Sequence, residues 1–284
     1  MQKPFVSRSH TSATETSAVA RELISRLLPS DAPQQIALFL DVDGTLVGFS
    51  PTPAVTSISP AMRQLLDTLT AQLGGAVAIV SGRSMQDLAR LFPDPTFAHV
   101  GAHGGEIRTP AGLVARAPAP DAVTMATVRA AMQRAVASDP RLYFEDKGAS
   151  LALHYRRAPE CEQQVRELVT TLGREASGLR IQWGAAVAEL RGDSFDKGSA
   201  VESLLGMQPF QGRRPWYFGD DDTDLPALQY VASAGGTAIT VGDRLRSRLP
   251  ANFYQPIRGE HLDGPSAVWA VLRELSGALS SAPQ

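Results

Sequence analysis

Two aspartates, Asp41 and Asp43, stand two positions apart directly after the uninterrupted apolar run 36–40. Such a run is typical of a strand buried on both faces of a parallel sheet, and ligands of open α/β sheets bind outside the carboxyl ends of the strands. Two carboxylates this close repel each other unless a cation relieves the repulsion, and Mg²⁺ favours carboxylates together with phosphate oxygens. The pair therefore predicts a Mg²⁺ site, and the alternative is a solvated Asp-Gly turn.

Three further polar clusters stand at corresponding places. Ser81, Gly82 and Arg83 follow the apolar run 75–80, Lys197 begins a predicted helix, and the acidic run 220–224 follows the predicted strand 215–219. In a parallel sheet these places share one edge, so the four clusters are expected to form one site.

Each residue also has a structural alternative. Ser81 would suit a helix-capping role, Arg83 a structural salt bridge, and Asp222 a solvated position in the acidic run. Lys197 would suit a solvated helix start, but a cation there opposes the helix dipole, so its placement asks for a reason.

Phosphoryl transfer needs these groups. A carboxylate can attack phosphorus and hold it as an aspartyl-phosphate, and a second can protonate the leaving oxygen and later deprotonate water. A divalent cation, a lysine and a hydroxyl can hold the phosphate oxygens. No Walker-type glycine-rich loop ending in lysine is found in the sequence, so nucleotide hydrolysis of that class is unsupported.

Length and composition narrow the function classes. The 284 residues suggest two domains, and 43% hydrophobic with 20% charged residues is typical of a soluble globular protein. A net charge of −2 gives no reason to expect a nucleic-acid or membrane partner. A single cysteine, no ~18-residue apolar run and no secretion signal favour a cytoplasmic protein, expected to be a monomer.

The fold class expected is α/β, with a Rossmann-like parallel-sheet core and an inserted α+β cap domain. Strands and helices alternate after residue 35 and again from Lys197, which indicates βαβ units. Between them, helix and hairpin patterns at 122–136, 142–156, 161–174 and 179–191 indicate an antiparallel sheet. We predict a tail over 1–34 with a short helix at 20–28, core segments 35–112 and 194–284, and a cap over 113–193.

The ordered motifs Asp-Val-Asp-Gly-Thr-Leu, Val-Ser-Gly-Arg, a lone lysine before a helix and Gly-Asp-Asp-x-Thr-Asp resemble those of haloacid-dehalogenase-like phosphohydrolases with a type II cap. The resemblance implies that Asp41 is the nucleophile and Asp43 the general acid/base, and that Ser81 and Lys197 hold the phosphate. It also implies Mg²⁺ ligands. These are the side chains of Asp41 and Asp220 and the backbone carbonyl of Asp43, with Asp221 and Asp224 as outer or alternative ligands.

Phrases in and beside the predicted cap are similar to those of the trehalose-6-phosphate phosphatase family. They are Ala-His-Gly at 102–104, Glu-Asp-Lys-Gly at 145–148, His-Tyr-Arg at 154–156, and Glu-Leu-Arg at 189–191. The resemblance implies hydrolysis of trehalose 6-phosphate to trehalose and phosphate through an aspartyl-phosphate. The substrate-binding residues it implies are Gly82, Arg83, His103, Glu145, Lys147, Glu189 and Arg191.

Alternatives remain open at this point. Each charged cap residue would also suit an exposed hairpin position, and His154 would suit a half-buried structural role. Another capped phosphatase would act on sucrose 6-phosphate or mannosyl-phosphoglycerate. A non-catalytic sugar-phosphate-binding module would keep the pocket without turnover, although the quartet Asp41, Asp43, Lys197 and Asp220 argues against it.

Overall fold

The computed structural model describes residues 13–28, 35–48, 57–116, 121–148, 150–184, 186–245 and 259–281. Its first segment alternates helices and strands. The elements are α1 (Ala13–Leu27), β1 (Ile36–Leu40), α2 (Pro60–Gln72), β2 (Val77–Val80), α3 (Met85–Leu91), β3 (Ala98–Gly101), β4 (Glu106–Thr109) and β5 (Gly112–Arg116). Ser59 and Ser84 cap α2 and α3, each accepting a hydrogen bond from a backbone N–H of the first turn, which explains why these helices begin there.

An α+β unit follows, here called the cap. Its elements are α4 (Ala122–Ser138), β6 (Tyr143–Asp146), β7 (Ser150–His154), α5 (Glu162–Glu175), β8 (Leu179–Gly184) and β9 (Val187–Gly192). The four strands form an antiparallel sheet in the order β6-β7-β9-β8. The first pattern then returns with α6 (Lys197–Leu205), β10 (Arg214–Gly219), α7 (Leu225–Ser233), β11 (Thr237–Val241), β12 (Gly259–Leu262) and α8 (Pro265–Ser281).

The large sheet has the order β12-β11-β10-β1-β2-β3-β4-β5. The strands from β12 to β3 are parallel, and β4 and β5 add an antiparallel edge. β1 lies between β10 and β2, with Leu40 opposite Phe218 on one side and Ile79 on the other. The residues that follow these three strands therefore meet at one edge, and the predicted α/β fold is confirmed.

Alternation along the cap strands separates an apolar face from a polar one. Leu151, Leu153 and Leu190 pack with α4 and α5 in a hydrophobic cluster separate from that of the large sheet. Successive side chains of a strand point to opposite faces, so the alternate positions lie on the other side of the sheet. Glu145 and Glu189 are among them, both paired with Ala152. The polar face is thus free of the packing that holds the cap together.

The N-terminal helix is longer than predicted. α1 begins at Ala13 rather than at residue 20, and it docks on α8, where Ser17 Oγ donates a hydrogen bond of 3.1 Å to Glu274 Oε1. Four of its side chains are buried: Ala20, Leu23, Ile24 and Leu27. Docking of its apolar face extends the helix through the polar residues before it, as packing often overrides local pattern. Residues 1–12 and 29–34 of the predicted tail lie outside the described residues.

Two strands of the large sheet also differ from the sequence expectation. β5 spans Gly112–Arg116, so the predicted start of the cap at residue 113 falls inside a strand that pairs with β4. β12, which the sequence analysis did not predict, covers only Gly259–Leu262 and pairs with β11 at the sheet edge. Four residues are too few for a periodic signal. None of the described helices is both long and apolar enough to cross a bilayer.

We expect His99 on β3 to contribute a loss of stability in mild acid. This side chain is 4% exposed and lies against the rings of Phe92 and Phe97. Burial, assisted by Arg108, lowers the pKa of His99 to about 4. In this pH range the unfolded chain therefore binds a proton at His99 that the folded state does not bind. This difference lowers the free energy of unfolding by up to about 3 kcal/mol as the pH falls from about 6.5 to about 4.

The measurement is chemical denaturation of the wild type and of His99→Leu between pH 4 and pH 7.5. Relative to the variant, the wild type should lose up to about 3 kcal/mol of unfolding free energy as the pH falls over this range. Identical pH slopes for the two proteins would contradict the assignment to His99.

Candidate active site

The site is built where β1, β10 and β2 end. Asp41 follows β1, Asp220 follows β10, and Ser81 follows β2, and all three side chains are buried. The turn after β1 needs glycine at position 44, where φ is +94° and an added Cβ would lie 2.2 Å from Asp220 Oδ2. The Asp-Gly sequence therefore serves close approach of two strand ends rather than a solvated turn.

Lys197 lies at the centre of the buried charges. Its Nζ donates hydrogen bonds of 2.7 Å to Asp41 Oδ1 and of 2.7 Å to Asp224 Oδ1. Burial alone would lower the pKa of Lys197, but the carboxylates of Asp224 and Asp41 raise it above its usual range. The ammonium group therefore stays charged, and its two carboxylate partners account for a cation at the start of α6, where Asp196 caps the helix.

Asp224 has all its acceptor positions in use. Its Oδ1 accepts from Lys197 Nζ and from the Tyr217 hydroxyl at 2.5 Å, and its Oδ2 accepts from the backbone N–H groups of Asp220 at 3.2 Å and Asp221 at 3.1 Å. A carboxylate offers about four lone-pair sites, so none is left for another ligand. We therefore assign Asp224 the task of holding Lys197 and the turn after β10.

Asp41 and Asp220 fit a divalent cation. Carboxylate oxygens of Asp41, Asp220 and Asp224 lie within 4.8 Å of one another, and Asp220 Oδ1 is buried without a hydrogen-bond partner. Burial and the neighbouring carboxylates raise the pKa of Asp41 to about 7, although Lys197 opposes this, and raise that of Asp220 to about 9. Crowded anions of this kind are relieved by a cation, and oxygen ligands suit Mg²⁺.

Asp221 lies beside this group rather than in it. Its Oδ1 accepts the backbone N–H of Asp222 at 2.5 Å, and its Oδ2 lies 3.3 Å from Arg244 Nη1. Its side chain is 35% exposed. Of the residues named as metal ligands, the structure brings together the side chains of Asp41 and Asp220, and it turns that of Asp221 outward.

Asp43 is held by Arg83. The guanidinium donates two hydrogen bonds to the carboxylate, from Nε to Oδ2 at 2.7 Å and from Nη2 to Oδ1 at 2.6 Å. Such two-point pairing fixes the plane of a carboxylate. The side chain of Asp43 remains 33% exposed, so its carboxylate is accessible to solvent. Arg83 thus makes the structural salt bridge that the sequence analysis gave as its alternative.

Gly82 and His103 form the wall beside Ser81. The Ser81 hydroxyl accepts the backbone N–H of Arg83 at 3.2 Å. His103 has a φ of +56°, and its ring lies so close to Gly82 that an added Cβ there would be 2.2 Å from Cε1. Burial lowers the pKa of His103, so its imidazole is neutral. Gly82 is therefore required to seat this ring.

The cap reaches the core through Lys147. Its Nζ donates to the backbone carbonyl of Gly82 at 3.2 Å and to Glu189 Oε2 at 2.8 Å, and His103 Nε2 lies 3.6 Å from the same carboxylate oxygen. Burial would raise the pKa of Glu189, but the ammonium group of Lys147 holds it well below its usual range. Four predicted substrate-binding residues thus meet where cap and core touch.

Two predicted substrate-binding residues have other partners. Glu145 Oε2 lies 2.9 Å from His154 Nε2, on the polar face of the cap. Burial would raise the pKa of Glu145, but His154 and Lys147 lower it, so the carboxylate is charged. Arg191 donates from Nη1 to the backbone carbonyl of Phe195 at 2.7 Å, in the linker between cap and core. The structure does not bring Arg191 into the cluster around Lys147.

Sequence reasoning gave too small a role to Asp224 and none to Tyr217. Asp224 was named only as an outer or alternative ligand, although it anchors both Lys197 and the turn after β10. Tyr217 lies inside the apolar strand β10, and no pattern in the sequence distinguishes its hydroxyl from a core aromatic group. The available signal for Asp224 was its place four residues after Asp220, where a single helical turn returns to the strand end.

Comparison with known proteins identifies the family of the chain. A model of the trehalose-phosphatase family matches residues 39–242. The sequence is 39% identical to a probable trehalose-phosphate phosphatase of Sinorhizobium fredii over 207 residues, which are 72% of this chain and 77% of the relative. It is 32% identical to the trehalose-6-phosphate phosphatase of Escherichia coli over 206 residues, again 72% and 77%.

The fold has a solved counterpart in the C-terminal domain of the C. albicans trehalose-6-phosphate phosphatase. The two superpose with a TM-score of 0.73 at 20% sequence identity, covering 92% of this chain and 96% of that one. The match to the family model begins near the end of β1 and includes Asp41, the whole cap, Lys197 and the acidic turn after β10. The chain belongs to the trehalose-phosphatase family.

Proposed function

We propose that the protein hydrolyses trehalose 6-phosphate to trehalose and phosphate through an aspartyl-phosphate on Asp41. The observation that carries the proposal is the buried arrangement in which Lys197 bridges Asp41 and Asp224 near the ends of β1 and β10. Family membership and the names of the relatives support this substrate.

Two displacements at phosphorus complete the reaction. Because Lys197 occupies Asp41 Oδ1, we assign Oδ2 as the attacking atom; it bonds to phosphorus as the bond from phosphorus to the sugar oxygen breaks. Asp43 gives its proton to that oxygen and later takes one from a water molecule, which displaces Asp41 and releases phosphate. Arg83 fixes the plane of the Asp43 carboxylate in its ionised form, which is the form that takes the proton from water.

The proposed cofactor is Mg²⁺, held by the side chains of Asp41 and Asp220 and by the backbone carbonyl of Asp43. A bound divalent cation neutralises charge on the phosphate oxygens and orients the group. Lys197 screens Asp41 from the anionic substrate, and Ser81, buried at the end of β2, is assigned to the phosphate oxygens.

Sugar recognition is assigned to the polar face of the cap. Glu145, Lys147 and Glu189 offer one cation and two carboxylates, which suits hydroxyl groups that both donate and accept. His103 and Gly82 form the facing wall on the core. Closure of the cap over the disaccharide would exclude water from the phosphate.

The experiment is phosphate release by the purified protein from trehalose 6-phosphate, with and without EDTA. We expect turnover that EDTA removes and added Mg²⁺ restores. A panel with sucrose 6-phosphate and mannosyl-phosphoglycerate tests the rival substrates, since a higher kcat/KM for either would overturn the assignment. Binding of trehalose 6-phosphate without phosphate release would indicate a non-catalytic module instead.

We expect Mg²⁺ to raise the melting temperature more at pH 8 than at pH 5.5. The pKa of Asp41 is about 7 and that of Asp220 about 9 in the metal-free protein, both above the unfolded-state value of about 3.9. The folded state therefore holds extra protons at these two groups, and their contribution to the stability of the metal-free protein falls as the pH rises from about 4 to about 9. At higher pH fewer protons compete with the cation, so its stabilising effect grows.

Thermal denaturation with and without MgCl₂ at the two pH values measures this effect. The variant Asp220→Asn should show little Mg²⁺-dependent shift at either pH, which makes it the matched control. An equal shift at both pH values in the wild type would contradict the proposed link between protonation and metal binding.

A cytoplasmic location and a monomeric state stay predictions from the sequence.

A further inference from the structure

The linker that returns the chain from the cap to the core, residues 193–196, is held by two arginines. Arg180 on β8 and Arg191 on β9 are direct cross-strand neighbours. Both donate to one acceptor, the backbone carbonyl of Phe195, from Arg180 Nη2 at 2.5 Å and from Arg191 Nη1 at 2.7 Å. The guanidinium of Arg191 also lies 6.0 Å from the centre of the Phe195 ring. The cap sheet thus binds the linker through hydrogen bonds to a single backbone carbonyl.

This arrangement is costly for the cap alone. Like charges directly opposite each other on a sheet destabilise it, and the side-chain Nε atoms of both Arg180 and Arg191 are buried without a hydrogen-bond partner. Asp196 lies 3.6 Å from Arg180 and offsets part of the charge. A local loss of stability without an evident compensating interaction is typical of residues that serve a functional site.

The core holds the same linker from the other side. An added Cβ at Gly104, where φ is +106°, would lie 2.2 Å from the backbone oxygen of Asp196. An added Cβ at Gly105 would lie 3.0 Å from the Phe195 ring. These glycines belong to the turn that carries His103. The linker is therefore packed between the arginines of the cap and the turn of the core.

The chain then runs directly into the site. Asp196 caps α6, accepting the backbone N–H of Ser199 at 2.8 Å, and the next residue, Lys197, donates to Asp41. Phe195 lies only two residues before Lys197, so a shift of its carbonyl moves the start of α6. Displacement of a charged group by about 1 Å is enough to cost about 100-fold in rate.

We propose that Arg180 and Arg191 are positioning residues, which hold Phe195 so that Lys197 stays aligned with Asp41 when the cap covers the site. This inference rests on the proposed function and assigns Arg191 to the linker rather than to the sugar. In this proposal the position of the cap sheet determines the alignment of Lys197, and the two arginines do not contact the substrate.

The test compares Arg191→Met, Arg191→Lys and Arg180→Met with the wild type, using trehalose 6-phosphate and a small aryl phosphate. We expect Arg191→Met to lower kcat by about 10- to 100-fold on both substrates and to change each KM less than about 3-fold. Arg191→Lys keeps one donor and should recover part of the lost kcat. Arg180→Met should show the same pattern with a smaller loss, because Arg180 is 35% exposed.

The matched control is Arg166→Met, which removes an arginine of α5 that is 47% exposed and pairs with Glu162. It should leave kcat unchanged on both substrates. A rise in KM confined to trehalose 6-phosphate in Arg191→Met would make Arg191 a sugar-reading residue and overturn the proposal. A lower melting temperature with unchanged kcat would reduce the pair to a structural role and also overturn it. Turnover of the aryl phosphate depends on Lys197 but not on recognition of the sugar. If the wild type were inactive on trehalose 6-phosphate, the proposed function would be wrong, but the effect of the arginine variants could still be measured with the aryl phosphate.

Discussion

Replacing Asp41 by asparagine is expected to lower kcat on trehalose 6-phosphate by about 10⁴-fold or more, because an amide cannot attack phosphorus. The fold should survive, since asparagine has nearly the same volume and its carbonyl can still accept from Lys197 Nζ. Burial and Asp224 disfavour the charged form of Asp41. The metal-free variant should therefore melt at the same temperature as the wild type or above it. Phosphate release under single-turnover conditions and thermal denaturation measure the two quantities.

Asp263→Asn is the matched control for this substitution. Its side chain is 83% exposed and lies after β12, so the same loss of charge there should leave kcat unchanged. Full activity of Asp41→Asn would remove Asp41 as the nucleophile. If Asp41→Asn lost both its activity and its folded state, unfolding rather than a missing nucleophile would explain the loss of activity.

Replacing Glu145 by alanine is expected to raise KM for trehalose 6-phosphate by about 10- to 100-fold. The charged carboxylate lies on the polar face of the cap, and loss of a hydrogen bond to a charged group costs about 1.5–3 kcal/mol. A small aryl phosphate does not reach this face, so its KM should change less than about 2-fold. Steady-state kinetics on both substrates gives the comparison.

Glu160→Ala provides the control within the cap, because this carboxylate is 58% exposed and pairs with Arg141 on the outer side. Neither KM should change in that variant. If Glu145→Ala raised both KM values equally, the cap would not read the sugar. A large fall in kcat on the aryl phosphate would show that Glu145 acts on the core instead.

The parts of the fold that could be predicted are those with strong local signals. β1 follows an unbroken apolar run, α3 follows a capping serine, and α6 begins at the lysine that the motif singled out. The edge where Asp41, Ser81 and Asp220 meet follows from the rule that parallel strands align their carboxyl ends. The central quartet was therefore accessible from residue types and spacing alone.

What could not be predicted depends on contacts between distant segments. The pairing of Arg83 with Asp43 joins residues 40 positions apart, and the contact of Lys147 with Gly82 joins residues 65 apart. Whether a charged side chain faces substrate or another residue depends on such partners, and a motif does not encode them. The early start of α1 has the same cause, because its polar first turns are stabilised by α8.

The separation of the two faces of the cap sheet bears on how this scaffold can be altered. Leu151, Leu153 and Leu190 hold the cap from the side that α4 and α5 cover, so exchanges on the opposite side do not subtract from that packing. A library of variants at the sugar-facing positions of that surface, with Arg180 and Arg191 left in place, should yield folded enzymes with altered preferences at a high frequency. Evolution toward other phosphorylated sugars has the same route open to it, with the nucleophile left in place.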